Sequence, residues 1–229
     1  FDSLTKQVPI IALDNNFTTN VNCDYCNDTW ESKNCYLCIT AGYSEDSCYS
    51  KLALYSKNIF DSLWAVSTQY AYECIDTKNC YRIFFSQNVE NCMDSFFLLD
   101  CRDCTNCFGC VGLRHKKFHI FNVPYAPEDY ARKIKELWDG GYIAFMKLRE
   151  EFIRFSFSYP RRYSHITNGQ NIVGDNVRNA RNCYVCFDIE DGAENSKYLA
   201  QGGLGMKDCY DLYNSGERSE LCYEDSMAG

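Results

Sequence analysis

A chain of 229 residues can bury a sizeable core as one or two domains, and a content of 46% hydrophobic and 16% aromatic residues is too apolar for a disordered protein. The net charge of −8 sets it apart from general nucleic-acid binders, which carry basic surfaces, and the lack of any run of 18 apolar residues excludes a spanning helix. Sixteen cysteines would suit a disulfide framework, but such scaffolds are far shorter than this chain.

Residues 1–20 show little repetition and read as a lead-in or cap, with Val8 to Leu13 as a candidate first strand. The sequence starts at Phe1 without Met, so a cleaved leader or an upstream domain stays open. From 21 to 123 a ladder takes over. Asn22-Cys23, Asn34-Cys35, Ser47-Cys48 and Asn58-Ile59 recur every 11 to 13 residues, and after a gap worth two periods Asn79-Cys80, Asn91-Cys92 and Asp103-Cys104 follow. Cys35, Cys48, Cys80, Cys183, Cys209 and Cys222 are each followed directly by Tyr, far more often than chance pairing gives. A repeat this short cannot bury an apolar face alone, so its copies must stack. The segments are short, rich in Tyr, Phe, Ile and Val, and bounded by Ser, Asn, Asp and Lys, the pattern of brief strands joined by turns. Asn and Asp tolerate left-handed backbone and so mark corners, where their stacked side chains can form hydrogen-bonded ladders. Two repeats per coil is the favoured arrangement.

Free Cys behaves as a small hydrophobe and suits a narrow core. Ile59, Tyr70 and Ile172 stand at beats where Cys is expected, which a disulfide or ligand partner would not permit. The ladder of Cys23, Cys35, Cys48, Cys80, Cys92, Cys104, Cys183, Cys209 and Cys222 is therefore read as structural.

The beat stops over 124–158. Pro127 suits the first helical position, Glu128 and Asp129 the first turn, and Tyr130, Ile134, Leu137 and Trp138 follow helical spacing up to Gly140-Gly141. Phe145, Leu148, Phe152 and Phe155 share one face of a second helix. This hairpin is expected to cover the side of the stack or block an end. From Arg114 to Arg162 there are 11 Lys/Arg against 6 Asp/Glu, which leaves −13 for the rest. Arg132, Lys133 and Lys135 are read as a solvated face, with docking of an acidic partner as the sharper alternative. Over 159–229 the beat resumes at Asn171-Ile172, Asn182-Cys183, Asn195-Ser196, Asp208-Cys209 and Leu221-Cys222. The fold class expected is mainly β, a right-handed β-solenoid of 11–13-residue Cys/Asn repeats interrupted by a helical hairpin.

The run Cys-Arg-Asp-Cys-Thr-Asn-Cys-Phe-Gly-Cys-Val-Gly-Leu-Arg from Cys101, then Phe118-His119-Ile120-Phe121-Asn122, Pro-Tyr-x-x-Glu-x-Tyr at Pro124 to Tyr130 and Asn-Cys-Tyr-x-Cys after the hairpin carry a likeness. They resemble an uncharacterised family of Cys-rich repeat proteins of uncultured bacteria with reduced genomes, over nearly the whole chain. Members usually carry zinc-ribbon-type Cys-x-x-Cys pairs upstream of the segment that begins here; this chain lacks them and has fewer Cys. The resemblance implies architecture and no activity.

The sharpest candidate for chemistry is Cys101-x2-Cys104-x2-Cys107-x2-Cys110, since four thiolates can close a Zn site or hold an iron–sulfur cluster. In an extended strand, however, Cys three apart would lie ~10 Å apart on alternate faces. Cys23/Cys26, Cys35/Cys38 and Cys183/Cys186 are half-signatures of zinc knuckles, and His115 and His119 stand too close to Cys110 for a zinc finger. Asp188, Glu190 and Asp191 are nominal acids for a carbohydrate cleft, better explained as turn residues. No nucleophile with a partnered base stands out.

The expected function is therefore a non-catalytic structural or interaction scaffold that self-associates into an assembly or filament. No cofactor is expected, and no direct nucleic-acid binding; a protein partner stays open. The alternatives are a Cys-ligated Zn or Fe–S protein and an acidic nucleic-acid mimic. With neither signal nor spanning segment in the sequence, cytoplasm and cell surface are both open.

Overall fold

The structure, a computed structural model, describes residues 13, 15–16, 18–138, 140–203, 205–213 and 223. It is mainly β, with two helices, and none of the described helices is long and apolar enough to cross a membrane. Its contacts divide the chain into two units, Phe1–Tyr159 and Pro160–Gly229.

In the first unit the repeat is a triplet. Every third residue from Asn22 to Asn106 has φ between 48° and 60°, and the residue after it points inward. Each inward residue from Cys26 to Cys110, three apart, is buried. A left-handed residue costs a non-glycine about 1–2 kcal/mol, and Asn and Asp pay least, which is why so many corners carry them. Tyr25, Leu37, Trp64, Arg82 and Phe97 nevertheless hold the same geometry. What holds them there is the hydrogen bonding between coils.

Four triplets close one coil. Strand pairs are parallel with a register of 12 residues: Asn27 lies beside Ile39, Ile39 beside Lys51, Lys51 beside Leu63 and Leu63 beside Ile75. A second side runs Lys57, Gln69, Tyr81, Met93, Thr105, Lys117 in the same way. One coil thus holds one 12-residue repeat, not the two expected. The sequence left this open because the αL kink turns the chain every three residues, a tighter corner than an ordinary strand allows.

Backbone groups are satisfied on both sides of each coil. Lys33 N–H donates to Ser44 O in the following coil at 2.9 Å, and Asn34 N–H to Val21 O in the preceding coil at 2.8 Å. The stacked corner side chains add outer ladders: Asn22 to Asn34 (3.2 Å), Asn34 to Asp46 (2.9 Å), Asn79 to Asn91 (3.2 Å) and Asn91 to Asp103 (3.0 Å).

The parallel series ends at Lys117–Ile120. Val123–Pro124 turns back antiparallel onto it, with Ile120 opposite Val123, and the two helices follow: α1 (Pro127–Leu137) and α2 (Tyr142–Ser156). Pro127 opens α1, with Glu128 and Asp129 in its first turn and Lys135 in its last, the charges that suit the helix dipole. The hairpin lies along one side of the stack. Its Tyr130, Ile134, Trp138, Phe145, Leu148 and Phe152 pack on the outward columns Phe85/Phe97 and Phe96/Phe108/Ile120. Gly109 sits at φ +65, as non-glycines do throughout this stack; glycine is needed there because a Cβ would lie 2.8 Å from the Phe121 ring.

The second unit stacks in the same way with a variable coil. Ile166 pairs with Val177 at an offset of 11 and Val177 with Ile189 at 12. Later pairs such as Cys186 with Leu199 and Lys197 with Tyr210 are offset by 13. In the Cys186–Leu199 coil the extra residue falls at Asp191-Gly192, both with positive φ. Ile172, Cys183, Ser196 and Cys209 form one inward column. Asn171, Asn182 and Asn195 are hydrogen-bonded beside it at 3.0 Å each.

Candidate functional site

Most inward Ser, Thr and Cys share one role in this stack; the Thr77 hydroxyl, buried without a hydrogen-bond partner, departs from it. Ser56 Oγ donates to Leu54 O (2.8 Å) and Ala65 O (3.1 Å), and accepts from Thr68 N–H (3.2 Å). Cys92 Sγ lies 3.4 Å from Glu90 O and 3.7 Å from Cys101 O, while Cys104 N–H donates to Cys92 Sγ at 3.3 Å. The inward side chain is thus a small donor bridging carbonyls of its own and the next coil, and an acceptor for the next inward amide. A thiol does this weakly while filling more volume than a hydroxyl.

Of the ladder cysteines, Cys23, Cys35, Cys80, Cys92, Cys104, Cys183 and Cys209 take inward positions. Cys222 lies outside the described residues. Cys48 does not point inward: Ser47 holds that position and Cys48 is half-exposed one residue later. Tyr70 likewise is an outward corner residue, and Ala71 beside it points inward. The first-unit ladder also changes side. Cys23, Cys35, Ser47, Ile59, Ala71 and Ile83 stack in one column, Cys80, Cys92 and Cys104 in another above Ser32, Ser44, Ser56 and Thr68. The apparent drift of the period and the gap between Asn58 and Asn79 come from this switch.

Cys101, Cys104, Cys107 and Cys110 occupy the four successive inward positions of one coil, each fully buried. The αL residue between each pair brings them to one interior, where alternation along a flat strand would have kept them apart. The thiols of Cys101, Cys107 and Cys92 hydrogen-bond to Cys104, which lowers its pKa, and these contacts, with burial, raise the pKa of the other three. The same pairing, with the neighbouring thiol as first cause, lowers Cys38 to about 7 beside Cys35 and Cys183 to about 7 beside Cys186. Cys74 and Cys80 are pushed up by burial, to about 12 and about 11. The described cysteines are all free thiols. Among the described residues no group of three or more His, Cys, Asp or Glu has a metal-holding arrangement.

His115 is an outward corner residue beside Asp103 (3.3 Å) and His119 Nδ1 meets Lys117 O (2.7 Å), so the two histidines do not converge on one point. Asp188 and Asp191 accept from Asn176 (2.8 Å) and Asn179 (3.0 Å) in the corner ladders. Arg132 pairs with Asp129 at 2.6 Å and Lys133 with Glu136 at 3.4 Å along α1, while Lys135 is exposed.

The sequence pointed to Tyr-rich faces but not to how the outward aromatic residues stack into columns. Tyr25, Tyr36 and Tyr49 pack edge to face with centroids 5.8 and 5.7 Å apart. Phe84 stacks on Phe96 (4.8 Å) and Phe85 on Phe97 (5.3 Å). The signal was a triplet count: of the first unit's cysteines, all but Cys48 fall in one phase of three, which assigns every other position to the outside.

No family model and no curated protein matches the chain. Among solved structures, a Desulfovibrio desulfuricans G20 protein that carries an acetyltransferase name aligns with it at 12% identity and a TM-score of 0.17. The alignment covers 83% of this chain and 57% of that one. At that score the likeness carries no argument.

Proposed function

We propose that the chain is a right-handed β-solenoid acting as a non-catalytic structural scaffold that self-associates. Parallel strands joined by crossovers are right-handed in nearly all folds, which supports the hand. The observation that carries the functional reading is the use of the interior. Inward Ser and Cys such as Ser56 and Cys92 are engaged with backbone carbonyls and amides, which leaves the outward aromatic columns as the surface available for recognition. Tyrosine supplies rigid contact area at low entropic cost. Light scattering of the whole chain across concentration tests the reading: mass rising to multimers is expected, and a monomer up to about 1 mM, where even a weak association worth ~4 kcal/mol would register, overturns it.

A second reading, a Cys-ligated metal, is favoured by one observation, the closing of a coil by Cys101, Cys104, Cys107 and Cys110. Thiolates on one level, with Cys92 directly beneath Cys104, match the donor chemistry of Zn or an iron–sulfur cluster. Under that reading Cys104→Ser strips bound Zn or Fe from the isolated protein; under the scaffold reading it alters stability alone.

A further inference from the structure

Among the described residues, two apolar surfaces of the first unit are exposed. The first is the continuation of the face under the hairpin. Its columns run from Tyr25, Tyr36, Leu37, Tyr49, Phe60 and Tyr72 into Phe84, Phe85, Phe96, Phe97 and Phe108. Where the hairpin lies, Phe97 is 1% exposed; beyond it, Tyr25 is 66% and Tyr49 55% exposed. The second is the outer face of α2. Leu148, Phe145 and Phe152 point to the stack, yet Ile143 (74% exposed) and Ile153 (44%) lie on the opposite side of the same helix. That outer side is mixed, Ile143 and Ile153 standing among the exposed Lys147, Glu150 and Arg154, so it offers separate apolar contacts set between charges.

The orientation of α2 connects them. Phe145 packs on Phe85 (4.5 Å) and Phe155 on Phe121 (5.2 Å). The helix rises ~15 Å between those residues and the stack ~14 Å over the three coils between Phe85 and Phe121, so α2 runs along the stack axis. The hairpin therefore forms a step one helix layer high on a face whose other half is bare.

Resting on the scaffold reading, we infer that a second copy of this chain docks here by a two-fold axis, the hairpin of each copy filling the bare aromatic half-face of the other. One contact then covers both exposed surfaces. The half-face carries Asp24, Asp61 and Glu73 with no Lys or Arg in its columns, and Glu73 already meets Arg149 of its own hairpin at 3.8 Å. Lys147 and Arg154 of α2, the latter paired with Glu150 at 3.6 Å, line with Glu151 an open groove of about 650 Å³ on the flank of the helix, where Phe155 packs on Phe121. Half-exposed aromatic residues yield ~100 Å² each. The bare half-face and the outer side of α2 together reach the ~800 Å² per partner of a standard interface. A two-fold arrangement is the commonest closed assembly and uses the same pair of patches on both copies.

The test is a mixture of full-length ¹⁵N-labelled and unlabelled chain treated with a zero-length carbodiimide cross-linker, with the same run on Tyr49→Glu and Ile153→Glu. Mixed-isotope peptide pairs joining Lys147 to Asp24, Asp61 or Glu73 are expected, and each variant, its circular dichroism unchanged, should weaken association at least tenfold. Multimers that survive both variants and give no such mixed pair overturn this interface and leave the scaffold reading standing. A wild-type monomer overturns both. Cross-links from Lys147 or the half-face to residues 160–229 of the same copy also overturn the inference, since the cover would then come from within the chain.

Discussion

Replacing Ser56 separates donor packing from simple volume filling. The residue is buried, donates to Leu54 O and Ala65 O, and accepts from Thr68 N–H. Ser56→Ala deletes these bonds; Leu54 O keeps the Ser67 N–H, but the buried Thr68 amide loses its acceptor, which costs about 1–3 kcal/mol. Ser56→Cys keeps the pattern that Cys80, Cys92 and Cys104 follow in the same column and should cost less than ~1 kcal/mol, as volume-tolerated swaps do. Ser56→Leu adds bulk between coils whose facing positions include Ile59 and should exceed ~3 kcal/mol, the upper range for overpacking. The assay is urea unfolding followed by circular dichroism. With a slope of ~2 kcal/mol per M, the alanine variant should lower the midpoint by roughly 0.5–1.5 M and the cysteine variant by less than about 0.5 M. A neutral alanine variant, or a cysteine variant as damaging as leucine, would refute the argument that the interior is held by small donors.

Further outcomes can be checked on the same material. Thiol labelling of the native chain should be fast at the partly exposed Cys48 and Cys23 and slow at inward thiols such as Cys74 and Cys104; uniform fast labelling would contradict the packing. Cys74 and Cys80 have folded-state pKa values raised from 9.0 to about 12 and about 11. Their contribution to stability is therefore full below pH 9 and lost as pH rises through 11 to 12; the loss should shrink in Cys74→Ser/Cys80→Ser. Asn91 holds φ 53° and bonds to Asn79 and Asp103. Asn91→Gly should cost ~1 kcal/mol or less, and Asn91→Val about 2 kcal/mol, because a β-branched residue resists left-handed backbone. Gly109→Ala should displace Phe121 and loosen the hairpin, seen as faster amide exchange in α2 with little change in the stack.

Much of this could be read from residues, and what could not has a single physical source. The second-unit column of Ile172, Cys183, Ser196 and Cys209 and its Asn ladder stand where the beat put them. Pro127 opens the first helix and the stripe of Phe145, Leu148 and Phe152 lies on the second, as their spacing indicated. What stayed hidden was the αL residue in every triplet. An alternating strand sends residues three apart to opposite faces, so Cys101 and Cys104 looked separated and Cys48 looked equivalent to Cys35. Tyr, Trp and Arg at φ near +55° give no local sign of that conformation; only the period of three betrays it. The stacking of the tyrosine half-face was invisible for the same reason, since its members Tyr25, Tyr36 and Tyr49 alternate between the corner residue and the residue before it.

Native mass spectrometry of the protein as isolated, followed by its denatured intact mass, tests the central claim most directly. The scaffold account predicts multimers whose subunits carry no metal mass and whose cysteines are reduced. A monomer carrying extra mass that matches Zn or an iron–sulfur cluster and departs on denaturation would contradict it and move Cys101, Cys104, Cys107 and Cys110 from packing to chemistry.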